Sequence, residues 1–291
     1  MFVSDRWKDY EILDATSGEK LERWGDYLLV RPDPQVIWDT QVNTSLWNKK
    51  NAHYHRSNRG GGKWEFFNLP KEWKIRYELI TGDVLSFNLK PFSFKHTGLF
   101  PEQACNWDFA AKTIADSNRQ ISVLNLFAYT GGATLACAAS GAKVTHVDAS
   151  KGMVTWAKEN SVISGIADRP IRWLVDDCKK FVERELRRKN RYDAIILDPP
   201  SYGRGPKGET WKLEDQIYEF LCLLKGLLSD KPLFFILNSY TTGLQPGVLT
   251  YLCASALGCK ASDIHSDEVM LPVTYSRLNL PCGACARIIF S

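Results

Sequence analysis

No stretch of the 291 residues stays apolar for the ~20 positions a membrane-spanning helix requires. The opening residues, from Met1 to Trp7, carry no basic segment running into an apolar one, so no secretory leader is expected. Eight cysteines are scattered over the chain, and only Cys282 and Cys285 form a C-x-x-C. Without a second such pair, a four-thiolate metal site is not indicated, and no residue set is assigned to a metal. A long chain with no leader argues for reduced thiols rather than a disulfide framework, and for the cytoplasm.

What remains is ordinary globular material. Hydrophobic residues make up 44% and charged residues 24%, enough to bury a full core and to exclude disorder. The net charge of +4 permits a polyanionic partner without demanding one. Ten tryptophans are present, several of them before residue 75, where they fit a small aromatic-packed β core.

The chain changes character near residue 105. Residues 1–104 read as a small β-rich domain that serves substrate binding, and residues 105–291 as the catalytic domain. In the first part, residues 27–31, 73–80 and 84–87 are strand-like runs, and Thr81-Gly82-Asp83 is a turn signal. The polar stretch between Trp47 and Trp64 contains Lys49, Lys50, His53, His55, Arg56, Arg59 and three glycines, and is expected to be a mobile loop. Residues 44–95 hold ten Lys/Arg against four Asp/Glu. Basic, aromatic-rich segments suit nucleic-acid contact, and they equally suit a solvated loop beside a β core.

From residue 106 onward helices and strands alternate. Helices are expected at 106–115, 133–140, 150–164, 178–189 and 213–228. Strands are expected at 121–126, 142–147, 171–175, 194–197 and 233–237, and an edge hairpin at 268–271 with 284–290. This order predicts an α/β fold, a Rossmann-like doubly wound and mostly parallel sheet with right-handed crossovers.

Ligands of such sheets bind beyond the carboxyl ends of the strands. Four loops therefore matter. After the first strand, Phe127-Ala-Tyr-Thr-Gly-Gly-Ala-Thr134 carries a glycine pair that lets backbone approach a ligand, without the G-x-G-x-x-G of a dinucleotide turn. After the second, Asp148 can accept the hydroxyls of a ribose or serve as a helix N-terminal acid. After the third, Asp176 and Asp177 follow; Asp177 can meet an exocyclic amine or cap a helix. After the fourth comes Asp198-Pro199-Pro200-Ser201-Tyr202-Gly203. Two prolines force extended backbone directly behind a buried strand, beside an anionic acceptor and a flat ring. Such a wall can grip a planar amine-bearing ring.

Together these loops resemble the class I S-adenosylmethionine-dependent methyltransferases. More narrowly they resemble the bacterial large-subunit ribosomal RNA base methyltransferases, a group with cytosine-C5 and guanine-directed members. The likeness spans about residues 92 to 240. It is carried by Asn125 to Gly131, by Val147-Asp148-Ala149-Ser150 with Ala157 to Asn160, by Asp198 to Tyr202, and by Thr97 to Gln103 upstream. The resemblance implies S-adenosylmethionine as cofactor, with Phe127, Tyr129, Thr130 and Gly131 along its methionine part. It places Asp148, in the motif with Ala149 and Ser150, on the ribose, and Asp177 and Cys178 beside the adenine. Phe100, Pro101 and Glu102 would lie across the site, and Asp198 and Pro199 would face the methyl group. The chain departs from the group in lacking a recognisable N-terminal RNA-binding module. It also has no cysteine in Asn238-Ser-Tyr-Thr-Thr242, after the fifth strand, where cytosine-C5 enzymes carry their nucleophile.

The expected reaction is an in-line displacement in which a neutral amine or ring nitrogen attacks, with Asp198, Pro199, Pro200 and Tyr202 as the catalytic wall. RNA is the expected partner, with ribosomal RNA first. A small molecule or protein side chain is the alternative acceptor. Arg204 and Lys207 are placed to meet phosphates, on a loop expected to order when substrate binds.

Overall fold

The computed structural model describes residues 1–40, 44–57, 61–92, 95–204 and 210–290. Alternation of buried and exposed positions shapes the N-terminal half. Its strands are β1 (Phe2–Val3), β2 (Tyr10–Thr16), β3 (Glu19–Trp24), β4 (Tyr27–Pro32), β5 (Ala52–Arg56), β6 (Gly62–Phe66), β7 (Trp73–Glu78) and β8 (Val84–Leu89), with one short helix, α1 (Thr44–Trp47). Strands β2 to β6 form one sheet in sequence order, and β7 and β8 a separate ribbon. The strand β7 buries Trp73, Ile75 and Tyr77 and exposes the residues between them, the period of a half-buried strand.

The segment expected to be a loop between Trp47 and Trp64 is instead largely the hairpin of β5 and β6, with Ala52 opposite Phe66 and Arg56 opposite Gly62. Ala52 and Tyr54 are buried, while His53 and His55 take the other face. The two buried positions are few and the intervening residues polar, so the apolar signal of a strand is weak. Arg59 and Gly60 lie outside the described residues.

The second half follows the predicted alternation. After a 3₁₀ turn (Pro101–Gln103) come α2 (Ala104–Asp116), β9 (Ser122–Leu126), α3 (Gly132–Ala139), β10 (Lys143–Asp148) and α4 (Lys151–Ile163). Next are β11 (Ile171–Val175), α5 (Cys178–Arg187), β12 (Ala194–Leu197), β13 (Tyr202–Arg204), β14 (Thr210–Lys212) and α6 (Leu213–Lys225). The chain ends with β15 (Phe234–Ser239), α7 (Pro246–Leu257), β16 (Ile264–Pro272) and β17 (Asn279–Ile289). The large sheet has the order β1-β16-β17-β15-β12-β9-β10-β11, parallel from β15 to β11. Helices α5, α6 and α7 cover one face through Phe181, Phe220 and Leu249; α2 and α3 cover the other through Ile114 and Cys137. This is the doubly wound α/β sheet that the sequence predicts.

Two features differ from expectation. Helix α7 fills the interval before the last hairpin. That hairpin is not the sheet's edge, because β1 pairs in parallel with β16 outside it, Phe2 opposite Val269. The first strand of the chain thus belongs to the large sheet. The two halves also share a core: Tyr77 and Phe87 pack in one cluster with Trp107 and Leu135.

Between the halves lies a buried charge cluster. Glu22 is fully buried and accepts from Arg31 Nε at 2.5 Å, Arg31 Nη2 at 2.7 Å and Tyr10 Oη at 2.6 Å. Lys20 bridges Glu22 and Asp33 at 3.6 and 3.1 Å. Burial alone would push the Glu22 carboxyl up; the Arg31 and Lys20 charges override it and hold it at about 2. Removing one partner strands the others without solvent. Glu22→Gln is expected to cost about 3–5 kcal/mol, read from urea denaturation. A loss below about 1 kcal/mol would mean that water already reaches the cluster.

Candidate active site

Register decides where the loops emerge. Leu126 pairs with Val147 on one side and Leu197 on the other; Val147 pairs with Leu174, and Leu197 with Leu237. The five parallel strands therefore end at one level. Phe127, Asp148, Asp176, Asp198 and Asn238 stand along a single edge, centred on the β9–β12 switch where ligand clefts form.

The loop after β9 is tightly constrained. Phe127, Tyr129 and Gly131 all have positive φ, at 55°, 50° and 90°. Left-handed backbone at two non-glycine residues costs of order 1–2 kcal/mol each and persists only where surrounding contacts over-determine it. Those contacts are present. Asp148 Oδ2 accepts from the Tyr129 N–H at 2.9 Å and its Oδ1 from the Ser150 N–H at 2.8 Å. Cys178 Sγ accepts from the Phe127 N–H at 3.4 Å, and Asn160 Nδ2 donates to the Thr130 carbonyl at 3.0 Å. Thr130 Oγ1 donates to Gly98 O at 2.6 Å, tying the loop to the 97–103 segment. A Cβ at Gly131 would stand 3.0 Å from that of Ala157. Gly131→Ala is expected to lose about 2 kcal/mol of stability and to weaken cofactor binding. Gly141→Ala, with φ of 95° and open space around it, is expected to lose stability alone. Equal effects of both on cofactor affinity, measured by calorimetry, would show that the 127–131 loop has no special role.

Phe100, Phe127, Tyr129, Thr130 and Asp198 line one cleft at this edge. Burial, and secondarily the charge of Glu102, raises the Asp198 carboxyl to about 7. Its oxygens accept no hydrogen bond from the described residues. The Tyr129 phenol oxygen is also buried without a partner among them. The rings of Phe100 and Tyr129 sit 5.2 Å apart, and those of Phe100 and Tyr240 5.9 Å. Aromatic walls around an open anionic acceptor and an orphan phenol fit an amphipathic ligand that carries a positive charge.

The remaining predicted residues, Gly131, Asp148, Asp177 and Cys178 among them, do not line this cleft. Pro199 is buried beside Asp198. Pro200 is exposed, and its carbonyl accepts from Trp211 Nε1 at 2.7 Å, so that it fastens the loop instead of opening into the cleft. Tyr202 is 54% exposed on β13. Ser201 Oγ accepts from Thr241 Oγ1 at 2.6 Å, joining the loops after β12 and β15. Asp177 caps α5, one oxygen accepting from the Lys180 N–H at 2.9 Å, and Asp176 is engaged by Arg184. Ser150 caps α4, and Ala149 beside it is exposed. Pro101 and Glu102 are buried, their carbonyls held by Trp7 Nε1 at 2.9 Å and Ser4 Oγ at 2.6 Å. Burial pushes the Glu102 carboxyl up. Lys207 lies outside the described residues, and Arg204 falls at the end of β13.

Sequence reading missed a polar network behind the cleft. Asn106 Nδ2 donates to Gln103 Oε1 at 2.8 Å and to Asn238 Oδ1 at 2.9 Å. Arg287 Nε donates to Asn106 Oδ1 at 2.8 Å, and Gln103 Nε2 donates to Tyr240 Oη at 2.6 Å. Gln103 and Asn238 both line the cleft. None of the eight cysteines lines it. Burial raises Cys105 and Cys282 and pushes Cys285 to about 12, so these thiols stay protonated at neutral pH.

A family profile described as S-adenosylmethionine-dependent methyltransferase matches residues 69–229, more than half the chain. The chain belongs to this family. Over 97% of its length the methyltransferase superposes on a crystal structure titled as the SAM-dependent methyltransferase from Agrobacterium tumefaciens. The TM-score is 0.88 with 34% identity, covering 91% of that chain. A putative methyltransferase complexed with S-adenosylhomocysteine shares the fold, with TM-score 0.71 at 18% identity over 98% of this chain and 76% of that one. Among curated proteins, one named Ribosomal RNA large subunit methyltransferase K/L, from Shewanella frigidimarina, is 30% identical over 284 residues. That alignment takes in 94% of this chain and 36% of the relative, so the methyltransferase spans about a third of the length of the protein it matches. S-adenosylmethionine is its cofactor, and no helix among the described residues is long and apolar enough to cross a membrane.

Proposed function

We propose that this methyltransferase modifies a nitrogen of an RNA base, in large-subunit ribosomal RNA. The observation that carries the reading is the Asp198 carboxylate, which lies in the cleft with its acceptor sites open. The cofactor supplies an electrophilic methyl group on a sulfonium, so the protein's task is to position the acceptor and exclude water. Asp198 accepts a hydrogen bond from the attacking amine, and the Pro199 carbonyl aligns its lone pair. Tyr202 stacks on the extruded base. Phe127, Tyr129, Thr130 and Gly131 hold the methionine part of the cofactor. Asp148 takes the ribose, with Ala149 and Ser150 beside it. Asp177, through the oxygen not used in capping, and Cys178 flank the adenine. Phe100, Pro101 and Glu102 cover the site. The absence of any cysteine from the cleft lining supports nitrogen over cytosine C5 as the target, because C5 chemistry needs a thiolate at the ring.

The curated relative's printed name supports ribosomal RNA as the substrate class. A second support lies in residues 1–104, which we read as the substrate-binding domain beside a catalytic domain of 105–291. Phe66 and Phe67 are 57% and 54% exposed on the β5–β6 side, and Lys50 Nζ lies 5.4 Å from the Phe67 ring centroid. Exposed rings beside lysines make a surface on which bases stack and phosphates bind. An RNA substrate also places the enzyme in the cytoplasm. Mass spectrometry of ribosomal RNA nucleosides from a strain lacking the protein tests the reading. Loss of one N-methylated base is expected. An unchanged nucleoside profile, together with tritiated-methyl transfer to protein or to small molecules, would overturn it.

A further inference from the structure

The hairpin of β5 and β6 carries a second cluster of chemistry, remote in sequence from every strand-tip loop. Strand alternation puts His53 and His55 on one face of β5, opposite the buried Ala52 and Tyr54. Their rings lie 3.9 Å apart, centroid to centroid, with planes inclined at 37°. Antiparallel register sets Glu65 of β6 directly across from His53. Glu65 Oε2 reaches His55 Nε2 at 2.8 Å, and Glu19 Oε1, from β3, reaches His53 Nε2 at 2.7 Å. One ligating atom from each of His53, His55 and Glu65 lies within 4.8 Å of the other two.

We propose that His53, His55 and Glu65, joined by Glu19, form a binding site for a divalent transition-metal ion, Zn²⁺ in the first place.

The donor set selects the ion. Two imidazole nitrogens with carboxylate oxygens suit Zn²⁺ and its first-row neighbours, whereas Mg²⁺ and Ca²⁺ take oxygen donors throughout. The geometry is nearly assembled. Zn–N and Zn–O bonds of about 2.0–2.2 Å place tetrahedral ligands roughly 3.3–3.6 Å apart. The ligand atoms of His53, His55 and Glu65 already lie within 4.8 Å of one another on a backbone that the β5–β6 ladder fixes. Charge also favours a cation. Two carboxylates, Glu19 and Glu65, converge on the paired rings, and one dication balances both. The side chains are accessible in graded fashion, from 15% for His53 through 33% for Glu19 to 42% and 51% for His55 and Glu65, which leaves an entry path. Glu19 stands on β3, two strands away from β5, so a shared ion clasps the outer hairpin to the middle of the sheet.

The test is a Zn²⁺ titration of the full chain, free of any polyhistidine tag and stripped by chelator, followed by calorimetry and thermal melting. One saturable equivalent is expected, with a rise in melting temperature on Zn²⁺ addition. His53→Ala and His55→Ala should each weaken binding by about 100-fold or more, and Glu65→Gln and Glu19→Gln by about 10-fold. All four variants should still bind S-adenosylmethionine like the parent, which confirms that they fold. Replacement of Zn²⁺ by Co²⁺ reads the ligands in the unaltered chain, as a visible tetrahedral spectrum without a thiolate charge-transfer band. No saturable Zn²⁺ binding, undiminished binding in the His53→Ala/His55→Ala double variant, or a thiolate band would each overturn the proposal.

Discussion

Asp198→Asn is expected to reduce methyl transfer by about 10³-fold while making the protein more stable. Both effects have one origin. The carboxyl is held at about 7 by burial, with Glu102 adding to the shift, so the native state keeps a proton that the unfolded chain has already lost. Between about pH 4 and 7 the native state binds more protons, and stability falls as pH rises across that window. Above pH 7 the full cost of the buried charge is present. Asparagine removes it, which should add about 2 kcal/mol at pH 8 once partial exposure is allowed for, and nothing below pH 4. Activity runs the other way. In the proposed reaction an ionised Asp198 accepts from the attacking amine, so kcat/KM for the cofactor should climb with pH and level off above about 7. The asparagine variant should show a flat profile from the same group. A variant as active as the parent, or a parent profile with no inflection near 7, would remove Asp198 from the reaction.

Asp148→Ala is expected to weaken S-adenosylmethionine binding by about 100-fold with a smaller change in kcat. The carboxylate does two jobs that alanine cannot. It holds the Tyr129 and Ser150 N–H groups, and in the proposed site its remaining lone pairs meet the ribose. Hydrogen bonds to a charged group contribute about 1.5–3 kcal/mol each, and 1.4 kcal/mol is tenfold in affinity. Losing the ribose contact and relaxing the strained 127–131 loop together account for that factor. Burial pushes the Asp148 carboxyl up, and the two N–H groups partly restore it. Asp148→Asn keeps the shape but not the charge and should fall between parent and alanine. Calorimetric titration reads both; a change below threefold for alanine would mean that the ribose lies elsewhere.

The parts of the site legible in the sequence are those encoded locally. Strand ends can be read from apolar runs that stop at Leu126, Val147, Val175 and Leu197. Parallel pairing then brings the next residues together whatever the distant sequence does. Ser150 as a helix cap and the glycine pair at 131–132 are equally local. The Asn106–Gln103–Asn238–Arg287 network was invisible because it joins residues up to 181 positions apart that share no motif. The pairing of Phe2 and Val3 with β16 was hidden for the same reason, since two residues have no period. The β5–β6 hairpin was lost because its outward face is polar and only Ala52 and Tyr54 mark its inward one. The His53–His55–Glu65 cluster went with it, since the register that sets Glu65 against His53 exists only once the hairpin does. Pro200 shows the limit of motif reading: the double proline marks a wall behind the strand, but the Pro200 carbonyl is taken by Trp211 in the fold.

The tips of β9, β10, β11 and β12 are expected to build one cofactor pocket with Asp198 at its reactive end. A crystal structure with S-adenosylhomocysteine tests it directly. Ribose hydroxyls are expected on Asp148, the adenine beside Asp177 and Cys178, and the sulfur turned toward Asp198 and Pro199. A cofactor bound away from the 127–131 loop, or one whose sulfur points away from Asp198, would contradict it.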